Sequence, residues 1–220
     1  MKRMLFFILA LPVFLSTACF APINTVYEDA CMLKKGQVEL QGNASLYSFP
    51  FAAFNEEDIS FITNYNFGGM AGFGVSDKVN LRLRYEYLYW KWWNEDFGDI
   101  FGDSATVAGW HYAEASAKFG LIPDRLAIST PLGVYLVDGN QLYVFDPRLI
   151  YTYRPNDNFS LSVAPKVHIF FGEGGAFAMP GLSLGFGLSS DLNKWAIRPE
   201  VGFDFYFYLG AGVSIYLGRK

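Results

Sequence analysis

Charged residues, histidines and long apolar runs are all scarce in this chain. Only 17% of the 220 residues are charged, whereas 52% are hydrophobic, so the charges are too few for an ordinary water-exposed surface. No stretch reaches the roughly 20 consecutive apolar residues that a membrane-spanning helix needs. The formal net charge of −4 argues against nucleic acid as a partner. The length fits a single domain.

The longest apolar run lies at the N-terminus and has the features of a secretory signal. It covers residues 4–15, follows Lys2 and Arg3, and leads into small residues at 16–18, which is the order of an n-region, an h-region and a cleavage site. We expect residues 1–18 to be removed. Removal lowers Lys+Arg from 17 to 15 against 21 Asp+Glu and changes the net charge from −4 to −6.

Cys19, directly after this site, has two interpretations. Its place after Ser16-Thr17-Ala18 resembles the lipobox of bacterial lipoproteins, which implies a lipid anchor on Cys19. Alternatively, Ser16 and Ala18 serve an ordinary signal peptidase, and Cys19 forms a disulfide with Cys31, which an exported protein allows. In both cases residues 19–35 are interpreted as a polar linker that precedes the domain at 36–220.

Within this domain the clearest signal is alternation over residues 79–90. Up to Glu86, charged and polar side chains occupy every second position, and apolar or tyrosine side chains occupy the others. Period two indicates an extended strand. One face is Asn80, Arg82, Arg84 and Glu86; the other is Val79, Leu81, Leu83, Tyr85, Tyr87 and Tyr89. A strand between hydrocarbon and a polar interior has this pattern, so we predict a transmembrane β-barrel.

Two kinds of connection alternate along the rest of the chain. Short segments rich in turn formers, such as 76–78 and 155–158, alternate with loops of variable length, such as 49–58 and 93–104. This alternation is typical of an up-and-down antiparallel barrel. The predicted strands are ten, with eight as the alternative: 36–48, 60–75, 79–92, 105–120, 125–136, 142–153, 159–171, 177–189, 195–205 and 207–217.

The same parity in the other predicted strands places the charges on one face. Six acidic and six basic side chains then point inward: Glu39, Glu86, Glu114, Asp146, Glu200, Asp204, Arg82, Arg84, Lys118, Arg148, Lys166 and Arg198. Buried charges persist when they are paired and hydrogen-bonded, and a barrel of this size has little free lumen. We therefore predict a barrel plugged by its own charges, or a very narrow one. The main rival is a soluble barrel that turns its aliphatic face inward.

Aromatic side chains cluster where two predicted strands reach the variable loops. Amphipathic rings settle at membrane interfaces, so we interpret the cluster as an aromatic girdle in contact with lipid. Its predicted members are Tyr87, Tyr89, Trp90, Trp92, Trp93 and Trp110.

The candidates for catalysis and metal binding are few. His111 and His168 are the only histidines, and a catalytic role would require Ser, Asp or Glu within hydrogen-bond reach on a face open to the membrane or the medium. The loop at 94–103 holds four carboxylates but lacks the spacing of a calcium loop, so a solvated loop is favoured. We predict no metal, no cofactor and no catalytic residue.

The run Leu33-Lys34-Lys35-Gly36-Gln37-Val38-Glu39-Leu40 resembles the opening of small outer-membrane β-barrel proteins of Gram-negative bacteria. The turns at 75–79 and 122–126 are similar to the periplasmic turns of that group. The resemblance implies a location in the outer membrane, contact with its lipid, and insertion by the barrel-assembly machinery. The ending Tyr216-Leu217-Gly218-Arg219-Lys220 departs from the aromatic final residue of many such barrels.

Three functions follow as hypotheses. The first is a structural or interaction role for an outer-membrane barrel with no catalysis and no known ligand. The second is a narrow channel or carrier for small or apolar solutes. The third is a lipid-modifying enzyme or protease of the outer membrane.

Overall fold

The computed structural model describes residues 23, 25–48, 63–91, 107–137, 140–172, 175–204 and 207–218. These residues form eleven β-segments joined in one antiparallel sheet. Their bounds are β1 (Val38–Ser48), β2 (Thr63–Ser76), β3 (Val79–Lys91), β4 (Val107–Ile122), β5 (Leu126–Val137), β6 (Asn140–Phe145), β7 (Arg148–Tyr153), β8 (Phe159–Gly172), β9 (Gly175–Leu188), β10 (Trp195–Phe203) and β11 (Phe207–Leu217). No helix within these ranges has the length and apolar character to cross a membrane.

The sheet closes on itself, because β1 pairs with β2 on one side and with β11 on the other. Segments β6 and β7 lie in line and share the same two neighbours, β5 and β8, so the eleven segments make ten barrel strands. The break falls at Asp146-Pro147, where Pro147 has no N–H to donate to the ladder. The predicted ten-stranded up-and-down antiparallel barrel is confirmed.

The last hairpin has no polar turn former in its sequence, since residues 205–208 are all aromatic. In the structure β10 pairs with β11 in a continuous register from Trp195 opposite Ile215 to Phe203 opposite Phe207. A single hairpin therefore completes the barrel.

The outward face is apolar. Leu83, Leu132 and Leu209 are 66%, 59% and 57% exposed, whereas the charged side chains of the opposite parity are buried inside. An apolar band that surrounds a whole barrel is stable against hydrocarbon rather than against water. This arrangement contradicts the soluble alternative, whose aliphatic face would point inward.

The two ends of the barrel differ. At one end, which we call the turn end, short connections such as Ser76–Val79 join the strands, and β1 begins and β11 ends there. The connections at the other end, the loop end, include residues 49–62 and 92–106, which lie outside the described ranges. The predicted alternation of short turns and variable loops thus corresponds to the two ends.

Candidate functional site: the occupied lumen

Residues 23 and 25–33 lie inside the barrel, and we call them the plug. Their chain enters at the turn end, where Gly36 N–H donates to Gly74 O (2.8 Å). Ala30 is fully buried, and Ile23, Tyr27 and Leu33 are at most 4% exposed. This stretch belongs to the predicted polar linker at 19–35, but its described residues fill the lumen instead.

The centre of the plug is held by a single carboxylate of the wall. Val26 N–H and Tyr27 N–H donate to the two oxygens of Glu200, at 2.6 and 2.5 Å. Tyr27 adopts φ of +49°, in the left-handed region, and successive N–H groups in such a turn form a concavity that favours an anion. Glu200 therefore binds the main chain of the plug. In addition, the Tyr27 hydroxyl donates to Ala44 O (2.9 Å).

Glu28 of the plug forms ion pairs with two arginines of the wall. Its carboxylate lies 2.8 Å from Arg82 Nη1 and 3.9 Å from Arg148 Nη1. Each arginine also has a carboxylate on the wall, since Glu39 lies 2.7 Å from Arg82 and Glu114 lies 3.3 Å from Arg148. Glu28 thus joins two ion pairs of the wall across the lumen.

Asp29, the next residue, contacts a different cation. Its Oδ2 lies 2.7 Å from Arg198 Nη2. Its main-chain carbonyl accepts from Lys118 Nζ at 3.0 Å, and the Cys31 carbonyl accepts from the same Nζ at 2.8 Å. Adjacent carboxylates of the plug therefore pair with arginines on different strands of the wall.

Four further wall side chains bind main-chain groups of the plug. Arg84 donates to Thr25 O at 2.6 Å, and Gln41 donates to Tyr27 O at 3.1 Å. The other two accept from N–H groups: Thr152 Oγ1 from Ala30 at 2.8 Å and Tyr135 Oη from Ile23 at 2.8 Å. The plug is held by side chains of the wall and not by a β-ladder.

Glycine occurs in the wall where the plug passes closest. A Cβ placed on Gly74 would lie 2.1 Å from the main-chain oxygen of Lys34, and one on Gly210 would lie 2.0 Å from the Tyr27 hydroxyl. Real Cβ atoms do not approach other atoms so closely, so any other residue at Gly74 would force a main chain to move. The wall sequence is thus shaped to the plug.

All twelve charged side chains predicted to point inward are buried. Together with Glu28 and Asp29 of the plug, eight buried carboxylates face six Lys and Arg side chains. The wall adds its own pairs, such as Arg84 with Glu86, and Lys166 donates to the Ser183 hydroxyl (3.0 Å). The interior is therefore a mixed network of wall and plug, in which Glu28 and Asp29 add two carboxylates to the predicted six acidic and six basic wall side chains.

The two histidines lie in different environments. Inside the barrel, His168 lies 2.8 Å from Asp204 and 3.4 Å from Asp146, with all three buried. On the outward face, His111 Nδ1 is hydrogen-bonded to the Tyr85 hydroxyl (2.6 Å). Neither shows the geometry required above: His168 has carboxylates but no access to membrane or medium, and the described partner of His111 is a phenol.

Metal-binding groups are not brought together in the part of the chain that the structure describes, where no cluster of three or more His, Cys, Asp or Glu side chains could hold an ion. The carboxylate-rich loop at 94–103 lies outside those residues.

Apolar side chains close the lumen at the loop end. Ile23 of the plug packs there in one buried cluster with Leu88, Tyr112, Tyr135, Val144, Phe170 and Met179. Trp110 packs against the same cluster from inside the barrel. It shares the parity of Glu114 on β4, so its assignment to the outer aromatic girdle is wrong.

The rest of the predicted girdle is described in part. Tyr89 stacks on Tyr65 (ring centroids 4.6 Å apart), and Tyr87 packs against Phe67 (5.5 Å) on the outward face. The side chain of Trp90 lies outside the described residues, as do Trp92 and Trp93.

Cys31 lies where the plug leaves the barrel, half-buried, with its Sγ 3.8 Å from Arg154 Nη1. Burial, reinforced by the charge of Asp29, raises the pKa of its thiol to about 12. Because the thiolate is the reactive form, we expect about a thousandfold less thiolate than in a free cysteine at pH 8. In a Cys19→Ser background, the alkylation rate of Cys31 by iodoacetamide should rise about tenfold per pH unit from pH 7 to 10. A plateau near pH 9 would show that the thiol is not held in this buried site.

Comparisons with known proteins agree with the fold. Neither protein-family models nor curated protein sequences give a match to this chain. Among solved structures, an outer membrane channel from Pseudomonas putida F1 is similar at a TM-score of 0.50 and 10% identity, over 90% of this chain and 100% of that chain. The translocator domain of the autotransporter NalP from Neisseria meningitidis has a TM-score of 0.44 and 10% identity, over 85% of this chain and 90% of that one.

The likeness to the Pseudomonas putida structure concerns the fold alone, which is that of a transmembrane outer-membrane barrel. Together with the apolar outward face of the closed sheet, this fold makes the chain an outer-membrane β-barrel protein.

Proposed function

We propose that this protein is an outer-membrane barrel closed at rest by its own N-terminal segment, with a structural or interaction role and no catalytic step. The plug carries this proposal, since it is bound by wall side chains along residues 23 to 31. Contacts of the plug occur at three levels: the apolar cluster around Ile23 at the loop end, the ion pairs of Glu28 and Asp29, and the Lys118 contacts nearer the turn end.

A closed lumen predicts that the protein does not conduct ions. Purified full-length protein inserted into planar lipid bilayers should show no reproducible open state, because ions cannot pass buried side chains at all three levels. A reproducible open state in the unmodified protein, lost in Arg82→Met and Glu200→Gln variants, would contradict a plugged lumen and support a permanent narrow channel.

A gated passage for small solutes is the second candidate. It is favoured by the way the plug is attached, since it is covalently continuous with β1 at the turn end and is held elsewhere by noncovalent contacts. Such a segment can leave without unfolding the wall. The barrel would then conduct only while the plug is displaced.

Lipidation of Cys19 remains a prediction, and the plug sets a distance condition on it. Ile23 bonds to Tyr135, nine residues along β5 from Leu126 at the turn end, a height of about 20 Å for a strand tilted by about 40°. The four residues from Cys19 to Ile23 span at most about 14 Å. A lipid on Cys19 in the leaflet at the turn end and a seated Ile23 therefore exclude each other.

Contact of the outward face with membrane lipid and insertion by the barrel-assembly machinery belong to the same proposal. The exposed leucine and tyrosine side chains on that face support the first.

A further inference from the structure

We propose that the lumen is a binding groove for an acidic peptide segment, and that the plug is its resident occupant. A segment of another polypeptide with adjacent Glu and Asp residues would bind there when the plug withdraws. This inference rests on the proposed closed barrel and adds a ligand class to its interior.

Side chains of the wall form hydrogen bonds with both the N–H groups and the carbonyl oxygens of the plug main chain. Glu200, Thr152 and Tyr135 accept four of its N–H groups. Lys118, Arg84 and Gln41 donate to four of its carbonyl oxygens. Contacts of this kind provide affinity for a peptide that follows the same main-chain path, whatever its side chains are, and a small solute offers no such series of groups.

Two cations of the wall depend on the plug for their strongest partners. Among the described residues, Arg198 has one ion pair, with Asp29 at 2.7 Å, and otherwise hydroxyl contacts with Ser214 and Tyr216. Lys118 donates only to plug carbonyls in the described contacts. Withdrawal of the plug would remove these partners and leave both cations facing the vacated lumen. An anion that enters the lumen can replace the lost contacts at that level.

The two arginines that bind Glu28 also have carboxylate partners on the wall. Arg82 retains Glu39 when the plug leaves, and Arg148 retains Glu114. In the vacated groove an anion should therefore bind most strongly near Arg198 and Lys118, and more weakly near Arg82. Two adjacent carboxylates on a peptide can occupy these two positions, as Glu28 and Asp29 do in the plug.

Apolar positions along the groove add sequence preference. Val26 and Ala30 pack against Ala127, Ile150 and Ala164 of the wall. The ligand should therefore carry small or aliphatic residues before and after its acidic pair.

The test uses full-length protein with a weakened plug, Glu28→Gln/Asp29→Asn, and a fluorescent synthetic peptide with the sequence of residues 23–35. A matched control peptide carries Gln and Asn at the acidic pair. Gly74→Ala protein, whose plug keeps its carboxylates, gives a second route to a displaced plug. Heat-modifiable migration on gels verifies that each variant is a folded barrel, and fluorescence anisotropy in detergent measures binding.

We expect both variants to bind the acidic peptide at least tenfold more tightly than the control peptide, because a charge-assisted contact is typically worth about that factor. Unmodified protein should bind neither peptide, since its own plug competes. Equal binding of the two peptides, no binding to either folded variant, or full competition by millimolar glutarate would overturn the peptide groove. The conductance of the unmodified protein is recorded in parallel. An open state of that protein would contradict the closed barrel. If it does not conduct and the folded variants bind no peptide, the peptide groove is wrong but the closed barrel stands.

Discussion

Replacing Arg82 by methionine is expected to lower the free energy of unfolding by about 3–5 kcal/mol, the usual cost of removing one partner from a buried ion pair. Two carboxylates lose a close cation at once, because Arg82 contacts Glu28 of the plug at 2.8 Å and Glu39 of the wall at 2.7 Å. Glu28 keeps only the longer contact with Arg148, at 3.9 Å. All three side chains are at most 3% exposed, so water cannot replace the lost contacts.

Unfolding in urea, followed by heat-modifiable migration and tryptophan fluorescence, measures this loss. The Lys194→Met variant is the control, since its pair with Asp191 lies at an exposed turn and should leave the unfolding midpoint unchanged. The triple variant Arg82→Met/Glu28→Gln/Glu39→Gln removes the stranded charges and should recover most of the stability. An Arg82→Met protein as stable as the unmodified one would show that the charges are not buried together.

Adding one methyl group at Gly74 is expected to displace the plug and open the barrel. The new Cβ would lie 2.1 Å from the main-chain oxygen of Lys34 and 2.8 Å from its carbonyl carbon, and main-chain atoms cannot avoid it by a rotamer change. The chain at the base of the plug must therefore shift. We expect reproducible open states in planar bilayers where the unmodified protein is silent, and alkylation of Cys31 at pH 8 faster by at least a hundredfold.

Gly42→Ala is the matched control for this substitution. Gly42 lies on the neighbouring strand β1 and faces outward, and a Cβ there would meet no atom within 4 Å. That variant should stay silent and keep Cys31 protected. Silence and protection in Gly74→Ala as well would mean that the plug does not depend on this glycine.

Strand parity was the part of the fold that the sequence predicted best. Over 79–90, side chains alternate between hydrocarbon and a buried interior, and a shift of one residue would place Arg82 in lipid. The cost of such a shift fixes the register, so every predicted inward charge lies inside. Trp110 is the exception: it has the apolar character of a girdle residue, but its parity with Glu114 places it inside the barrel.

The plug could not be predicted by the same reasoning. Residues 23–33 have no period of two or 3.6, since the wall encloses this segment on all sides and it has no single apolar face. Glu28-Asp29 gave no sign of being buried, and a short polar stretch after a signal sequence is typical of a linker. One signal was present but indirect: inward positions such as Gly72, Gly74, Gly210 and Gly212 carry no side chain, which leaves volume that another segment must fill.

The central claim is that the N-terminal segment occupies the lumen, and a disulfide between plug and wall tests it most directly. Ala30 N–H donates to Thr152 Oγ1 at 2.8 Å, which places the two residues next to each other; cysteines there can form a disulfide where the plug main chain adjusts to bring the two Cβ atoms together. In a Cys19→Ala/Cys31→Ser background, oxidation of Ala30→Cys/Thr152→Cys in intact outer membranes should give nearly complete linkage of the two tryptic peptides by mass spectrometry. The pair Ala30→Cys/Tyr151→Cys should give none, since Tyr151 faces lipid. Equal linkage of the two pairs, or none in either, would contradict a plugged barrel.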